Sequence, residues 1–121
     1  MQFMLLIYID PAQAPAENTP EAFEDFGRWM SYTEQLRESG VLVAGDPLEP
    51  IPTATTVRVR EGETLLTDGP FAETKEHLAG YYLIDVADLD AAVQWAGQAP
   101  NAVYGSVEVR PIMVIPADAT A

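Results

Sequence analysis

No cysteine occurs in this 121-residue chain, which excludes disulfides, thiolate nucleophiles and Cys-based zinc sites. Histidine and lysine occur once each, as His77 and Lys75. One histidine among scattered carboxylates lacks the converging ligand set that a metal centre needs, so neither a metal nor a cofactor is expected. No Ser–His–Asp set, Gly-rich phosphate loop or nucleotide fingerprint is present. Positive charge is scarce: six basic residues face nineteen acidic ones, a net charge of −13. Nucleic-acid binding needs a basic patch, and anionic membranes repel such a chain for the same reason; neither is an expected partner. No run of about 18 apolar residues exists to span a bilayer. The apolar opening, Met1 to Ile9, has no basic start and no small-residue cleavage site. It reads as a strand rather than a signal peptide, and the expected location is the cytoplasm.

What remains is enough for one domain with a core. Nearly half of the residues are apolar, and domains most often run about 100–150 residues. The domain is expected over residues 1–115, with a loose tail over 116–121. The acidic surface favours solubility, and it also suits a basic protein partner.

Residues 2–9 read as a strand of aromatic, aliphatic and β-branched residues. Thr19-Pro20-Glu21 has the form of a helix start, with a capping hydroxyl, a proline at the first position and an acid at the positive end of the dipole. Ala22, Phe23, Phe26, Trp29, Met30, Thr33 and Leu36 recur every three or four residues and predict one apolar stripe, with Gly40 ending the helix. Val41–Ala44 predicts a short strand. Thr55–Arg60 alternates and turns back through Glu61-Gly62, which predicts a hairpin with one wet face. Leu78–Val86 predicts a strand, Asp88 caps a second helix marked by Leu89, Ala92, Val93 and Ala96, and a last strand is expected from Ser106 to Ile115. Pro111 within it calls for an edge position or a bulge. With the hairpin set aside the order is βαββαβ, the ferredoxin-like arrangement of two helices on one face of an antiparallel sheet.

The first strand is apolar on both sides: Phe3, Leu5, Ile7 and Ile9 against Met4, Leu6 and Tyr8. A one-sided antiparallel sheet alternates more cleanly, and each large apolar side chain left in water forfeits about 1.5–3 kcal/mol. Two helices cover one face only, so a homodimer is expected to cover the other.

The densest signal is Asp68-Gly69-Pro70-Phe71-Ala72-Glu73-Thr74-Lys75-Glu76, set between two strand-like runs. It is joined by Ala54-Thr55-Thr56-Val57-Arg58-Val59-Arg60 upstream and Gly105-Ser106-Val107-Glu108-Val109-Arg110-Pro111 downstream. Together these resemble the signature of the YCII-related proteins, in the branch called DGPF-domain proteins. The resemblance implies a dimeric α+β barrel, in which two such sheets meet face to face and a cleft beside the junction holds a small organic ligand. It also implies an association with extracytoplasmic-function sigma factors. The family's cleft histidine sits in the first helix; here Trp29 or a neighbour takes its place, and that helix has no histidine.

Two readings of the signature loop stand side by side. In one it is a shaped turn: Gly69 and Pro70 bend the chain, Asp68 bonds nearby amides and Phe71 anchors the loop in the core. In the other Asp68 is a base at a cleft mouth, with His77, the one side chain that titrates near neutrality unperturbed, as its acid–base partner. Lys75 could receive an anionic group, beside Glu73. Arg28 fits a surface pair with Glu24. Arg110 could reach Glu108 or Asp68, and Tyr8, Tyr81 and Tyr82 could line a pocket or simply pack with their tips wet. Two functions follow: a ligand-binding, regulatory accessory protein, or a cofactor-free isomerase, lyase or oxygenase working by acid–base chemistry.

Overall fold

The computed structural model describes residues 1–119 of the chain. Six strands and two α-helices follow in the order β1 (Gln2–Ile9), α1 (Pro20–Glu38), β2 (Leu42–Pro47), β3 (Thr55–Arg60), β4 (Glu63–Asp68), β5 (His77–Asp85), α2 (Leu89–Gly97) and β6 (Ser106–Pro111). Four strands form an antiparallel sheet in the order β2-β5-β1-β6, and β3 and β4 form a separate two-stranded sheet. This is the expected ferredoxin-like βαββαβ arrangement with the hairpin inserted between its second and third strands.

Local chemistry sets the helix ends. The Thr19 hydroxyl accepts from the Ala22 amide at 3.2 Å, and the Asp88 carboxylate accepts from the Ala91 amide at 2.9 Å; both satisfy amides that a helix start leaves free. Gly40 follows α1 at φ 74°, a conformation that costs glycine little. At the hairpin tip Glu61 and Gly62 both have positive φ, 52° and 79°, as the twist of a tight two-residue turn requires.

The core lies between the helices and one face of the sheet. Phe3 and Leu5 of β1, Ile84 of β5 and Leu36 of α1 have no exposed surface, which stabilises the fold by about 1.5–3 kcal/mol per side chain. Ala92, Ala96 and Ala99 join them; small side chains let α2 approach the sheet closely. Four rings, Trp29, Tyr32, Tyr82 and Trp95, pack edge-on or stacked with centroids 5.5–6.4 Å apart.

Several details differ from the sequence reading. β2 runs on to Pro47, past the expected end at Ala44, because Gly45, Asp46 and Pro47 continue the ladder with β5. The apolar stripe of α1 is split: Leu36 is buried, but Phe23, Phe26 and Met30 are 70%, 65% and 56% exposed. Tyr32 takes the inward place because its hydroxyl donates to the Trp95 carbonyl at 2.7 Å, so a polar tip is satisfied inside. The last strand stops at Pro111, opposite Phe3, rather than at Ile115. Beyond it β1 has only Gln2 left, whose carbonyl accepts from the Ile112 amide at 2.9 Å, and Met113, Val114 and Ile115 lie exposed. Pro111 does sit on an edge strand. The tail includes a short 3₁₀ turn at Ala117–Ala119, and residues 120–121 lie outside the described ones.

Candidate functional site

Strand alternation divides the sheet into two surfaces. On the helix side, Ile7 pairs with Gly80, Leu5 with Tyr82, Gly45 with Tyr82 and Pro47 with Gly80. Between this surface and α1 runs a groove of about 400 Å³. Its floor is Ile7, Ile9, Gly45, Pro47, Gly80 and Tyr82, and its wall is Phe26, Trp29, Met30, Thr33 and Arg37 of α1.

Two floor positions, Gly45 and Gly80, lack side chains because their neighbours already fill the space. A Cβ on Gly45 would fall 2.6 Å from the Tyr82 ring, and one on Gly80 would fall 2.9 Å from the Asp46 carbonyl oxygen. Close approach of ring and neighbouring strand, rather than backbone φ, explains both glycines. Above them Tyr82 stacks on Trp29 with planes 16° apart and meets the edge of Tyr32. The Tyr82 hydroxyl lies 2.6 Å from the Thr33 hydroxyl, which also lies 2.9 Å from the Trp29 carbonyl. Burial pushes the Tyr82 phenol up from its ordinary value, partly opposed by Thr33, whose hydroxyl turns to donate once that phenol ionises. Burial, then the charge of Tyr82, holds the Tyr32 phenol well above its ordinary value. Arg37 is paired with Glu34 one turn back.

Of the residues singled out from the sequence, Tyr82 lies in the groove, and the others fall into three groups. Tyr8, Tyr81 and Arg110 share the opposite surface of the sheet, where Met4 faces Arg110 and Leu6 faces Tyr81 and Glu108. There the Tyr8 hydroxyl reaches Glu108 at 3.4 Å, and the Tyr81 hydroxyl donates to Asp46 at 3.0 Å. That bond and the Asp46 charge raise the Tyr81 phenol. Among the described residues Arg110 makes no ion pair.

Arg28 stands apart on α1. It pairs with Asp25 at 3.7 Å, not with Glu24, because Asp25 is the acid three residues back that turns inward. It borders a more open cleft between the helices with Ser31, Tyr32, Gln35, Gln98 and Pro100.

The signature loop is the third group. Asp68 ends β4 with an exposed carboxylate, and His77 begins β5 opposite Ile9, half-buried. No hydrogen bond joins the two among the described residues. Phe71 is 79% exposed and does not anchor the loop. Polar contacts hold it instead. The Gly69 amide donates to the Ala54 carbonyl at 2.7 Å, and Thr56 Oγ1 donates to the Gly69 carbonyl at 2.8 Å. Arg58 reaches the Phe71 carbonyl at 3.3 Å, and the Glu76 carboxylate accepts from Ser106 at 2.9 Å. Lys75 Nζ lies 3.9 Å from the carboxylate of Asp10, which is 6% exposed. Glu73 is exposed.

Sequence reasoning missed Asp10 and the groove itself. Gly45 and Gly80 carried the available signal, since an isolated glycine inside a strand marks a close approach. Among the described residues no group of three or more His, Asp or Glu could hold a metal ion, and no helix is long and apolar enough to cross a membrane.

Comparison with known proteins agrees with the fold. The chain is 40% identical over 114 residues to a protein of Rhizobium meliloti (strain 1021) described as uncharacterised, covering 93% of this chain and 92% of that one. Its structure is similar to that of 5-chloro-2-hydroxyhydroquinone dehydrochlorinase from Burkholderia phenoliruptrix AC1100, solved in complex with 2,5-dihydroxybenzoquinone. The TM-score is 0.54 over 93% of this chain and 94% of that one, at 13% identity; an identity this low speaks to fold alone. The model of the YCII-related domain matches residues 1–116, and the chain therefore belongs to the YCII-related family.

Proposed function

We propose that this chain is a small-molecule-binding protein of accessory or regulatory type, with its ligand in the groove between α1 and the sheet. The carrying observation is the groove's make-up. Its volume of about 400 Å³ falls within the roughly 300–1,000 Å³ of ordinary ligand pockets. Its surface is mostly aromatic and aliphatic with few polar groups, which suits a compact, flat organic molecule. Two of its charged residues are already engaged, Arg37 with Glu34 and Asp46 with Tyr81, so the groove offers recognition rather than a free acid–base pair. The fold neighbour's complex with a dihydroxybenzoquinone is in keeping with a single-ring ligand. A net charge of −13 supports a basic protein as the regulated partner, and the apolar open face of the sheet supports a homodimer.

A thermal-shift screen of small phenols and aromatic carboxylates tests the reading. A ligand at a hundredfold excess over Kd stabilises by about 2.7 kcal/mol. The shift is expected to vanish in Met30→Trp, which fills the groove from an exposed position. A shift that survives this substitution places the ligand elsewhere.

A second reading, a cofactor-free enzyme acting by acid–base chemistry, is favoured by the dehydrochlorinase activity named for the fold neighbour. Asp10, Lys75 and His77 lie at the same end of β1 and β5, next to groove residue Ile9. Chloride release from a chlorinated hydroquinone, lost in His77→Ala, would support it.

A further inference from the structure

We infer that the groove selects ligands carrying a hydrogen-bond donor, and that the Tyr82 hydroxyl oxygen is the atom that receives it. The inference rests on the groove being the ligand site and goes on to name the ligand's chemistry.

Thr33 Oγ1 lies 2.9 Å from the Trp29 carbonyl oxygen and 2.6 Å from Tyr82 Oη. A threonine hydroxyl has one proton, a tyrosine hydroxyl has one proton, and a carbonyl has none. Both contacts are hydrogen bonds in one arrangement only: Thr33 donates to Trp29, and Tyr82 donates to Thr33. The reverse assignment leaves the part-buried Thr33 and Trp29 oxygens facing each other at 2.9 Å without a proton, so one hydrogen bond is lost. The Tyr82 proton is thus committed within the protein. Thr33 and Tyr82 both line the groove, so what Tyr82 Oη has left to offer is lone pairs.

The ring is held against rearrangement. Tyr82 stacks on Trp29 and abuts Tyr32, and the Gly45 backbone lies against it with no room for a Cβ. The hydroxyl therefore stays where Thr33 takes its proton. A phenol or an N–H heterocycle entering the groove meets an acceptor. An aldehyde, ketone or ether meets oxygen against oxygen.

Three probes that differ only in the group para to a ring methyl test this by NMR titration: 4-methylphenol, 4-methylbenzaldehyde and toluene. In the unmodified protein 4-methylphenol is expected to bind about fivefold more tightly than the aldehyde, the effect of one net neutral hydrogen bond, with toluene between them. Tyr82→Phe is expected to erase the ranking. Thr33→Val returns the Tyr82 proton to the groove and is expected to move the preference toward the aldehyde. An aldehyde that binds the unmodified protein as tightly as the phenol, or a ranking that persists in Tyr82→Phe, overturns the inference while leaving the groove as the site. Failure of all three probes, toluene included, overturns the groove itself. If a variant folds poorly, the unmodified protein still tests the inference, since an aldehyde that binds it as tightly as the phenol overturns it.

Discussion

Single side chains set the behaviour of the interior at high pH. The Tyr32 and Tyr82 phenols are raised chiefly by burial, so the folded state favours their neutral forms. A group whose folded pKa lies above its unfolded value contributes stability below the unfolded pKa, and that stability is lost as pH rises toward the folded value. Stability should therefore hold up to about pH 10, the ordinary tyrosine value, and fall above it. Urea titrations at pH 8 to 11.5 are expected to show the decline in the unmodified protein and a shallower one in Tyr32→Phe. At pH 7 the same substitution removes the bond to Trp95 and should cost about 1 kcal/mol. Gly80→Ala places a Cβ against the Asp46 carbonyl and should destabilise by about 1–3 kcal/mol, read as a lower urea midpoint. Gly80 is marked only as a lone glycine within a strand, and Tyr32 does not announce itself in the sequence. Tyr32 falls off the hydrophobic stripe because a tyrosine counts as inward only once its hydroxyl has a partner, and Trp95 lies 63 residues on. Phe23, Phe26 and Met30 fit the helical period but face water or the groove, since period alone does not say how much of a face is covered.

Elements were the most legible level, because their signals are local. Thr19-Pro20 and Asp88 start the helices where capping chemistry places them, and Asp88→Ala should cost about 1 kcal/mol in thermal unfolding. The Thr55–Arg60 alternation and the Glu61-Gly62 turn were sufficient for the hairpin. Its isolation was not legible, since hydrogen bonding to the main sheet is a long-range matter. Two strands alone are marginally stable, and Val57, Val59, Leu65 and Leu66 are all exposed. Amide hydrogen exchange is expected to be much faster at Val57 and Leu66 than at Leu5 and Ile84, the hairpin opening locally while the sheet stays closed. Equal protection in both would mean that the arm is covered. The end of β6 likewise depends on the length of β1, which no pattern within residues 106–115 encodes.

The molecule as a whole exposes more apolar surface than two helices can cover. Met4, Leu6 and Leu83 are only half-buried on the open side of the sheet, and Met113, Val114 and Ile115 lie bare beyond it. Sedimentation equilibrium at micromolar concentration is expected to give twice the 13.2 kDa of one chain. Leu6→Glu, adding charge at the centre of that surface, should shift the mass toward one chain with unchanged circular dichroism. A monomer in the unmodified protein would remove the proposed pairing. The βαββαβ order could be read from the chain because each element carries its own signal, whereas the groove arises between elements and was hinted at only by two glycines. The detached hairpin has a practical corollary. Its tip, Glu61-Gly62, touches neither helix nor main sheet, so extra length spliced there perturbs only a short, already independent ribbon. Natural insertions in related chains should gather at that spot, and a fluorescent graft there would sit on residues that do not line the groove.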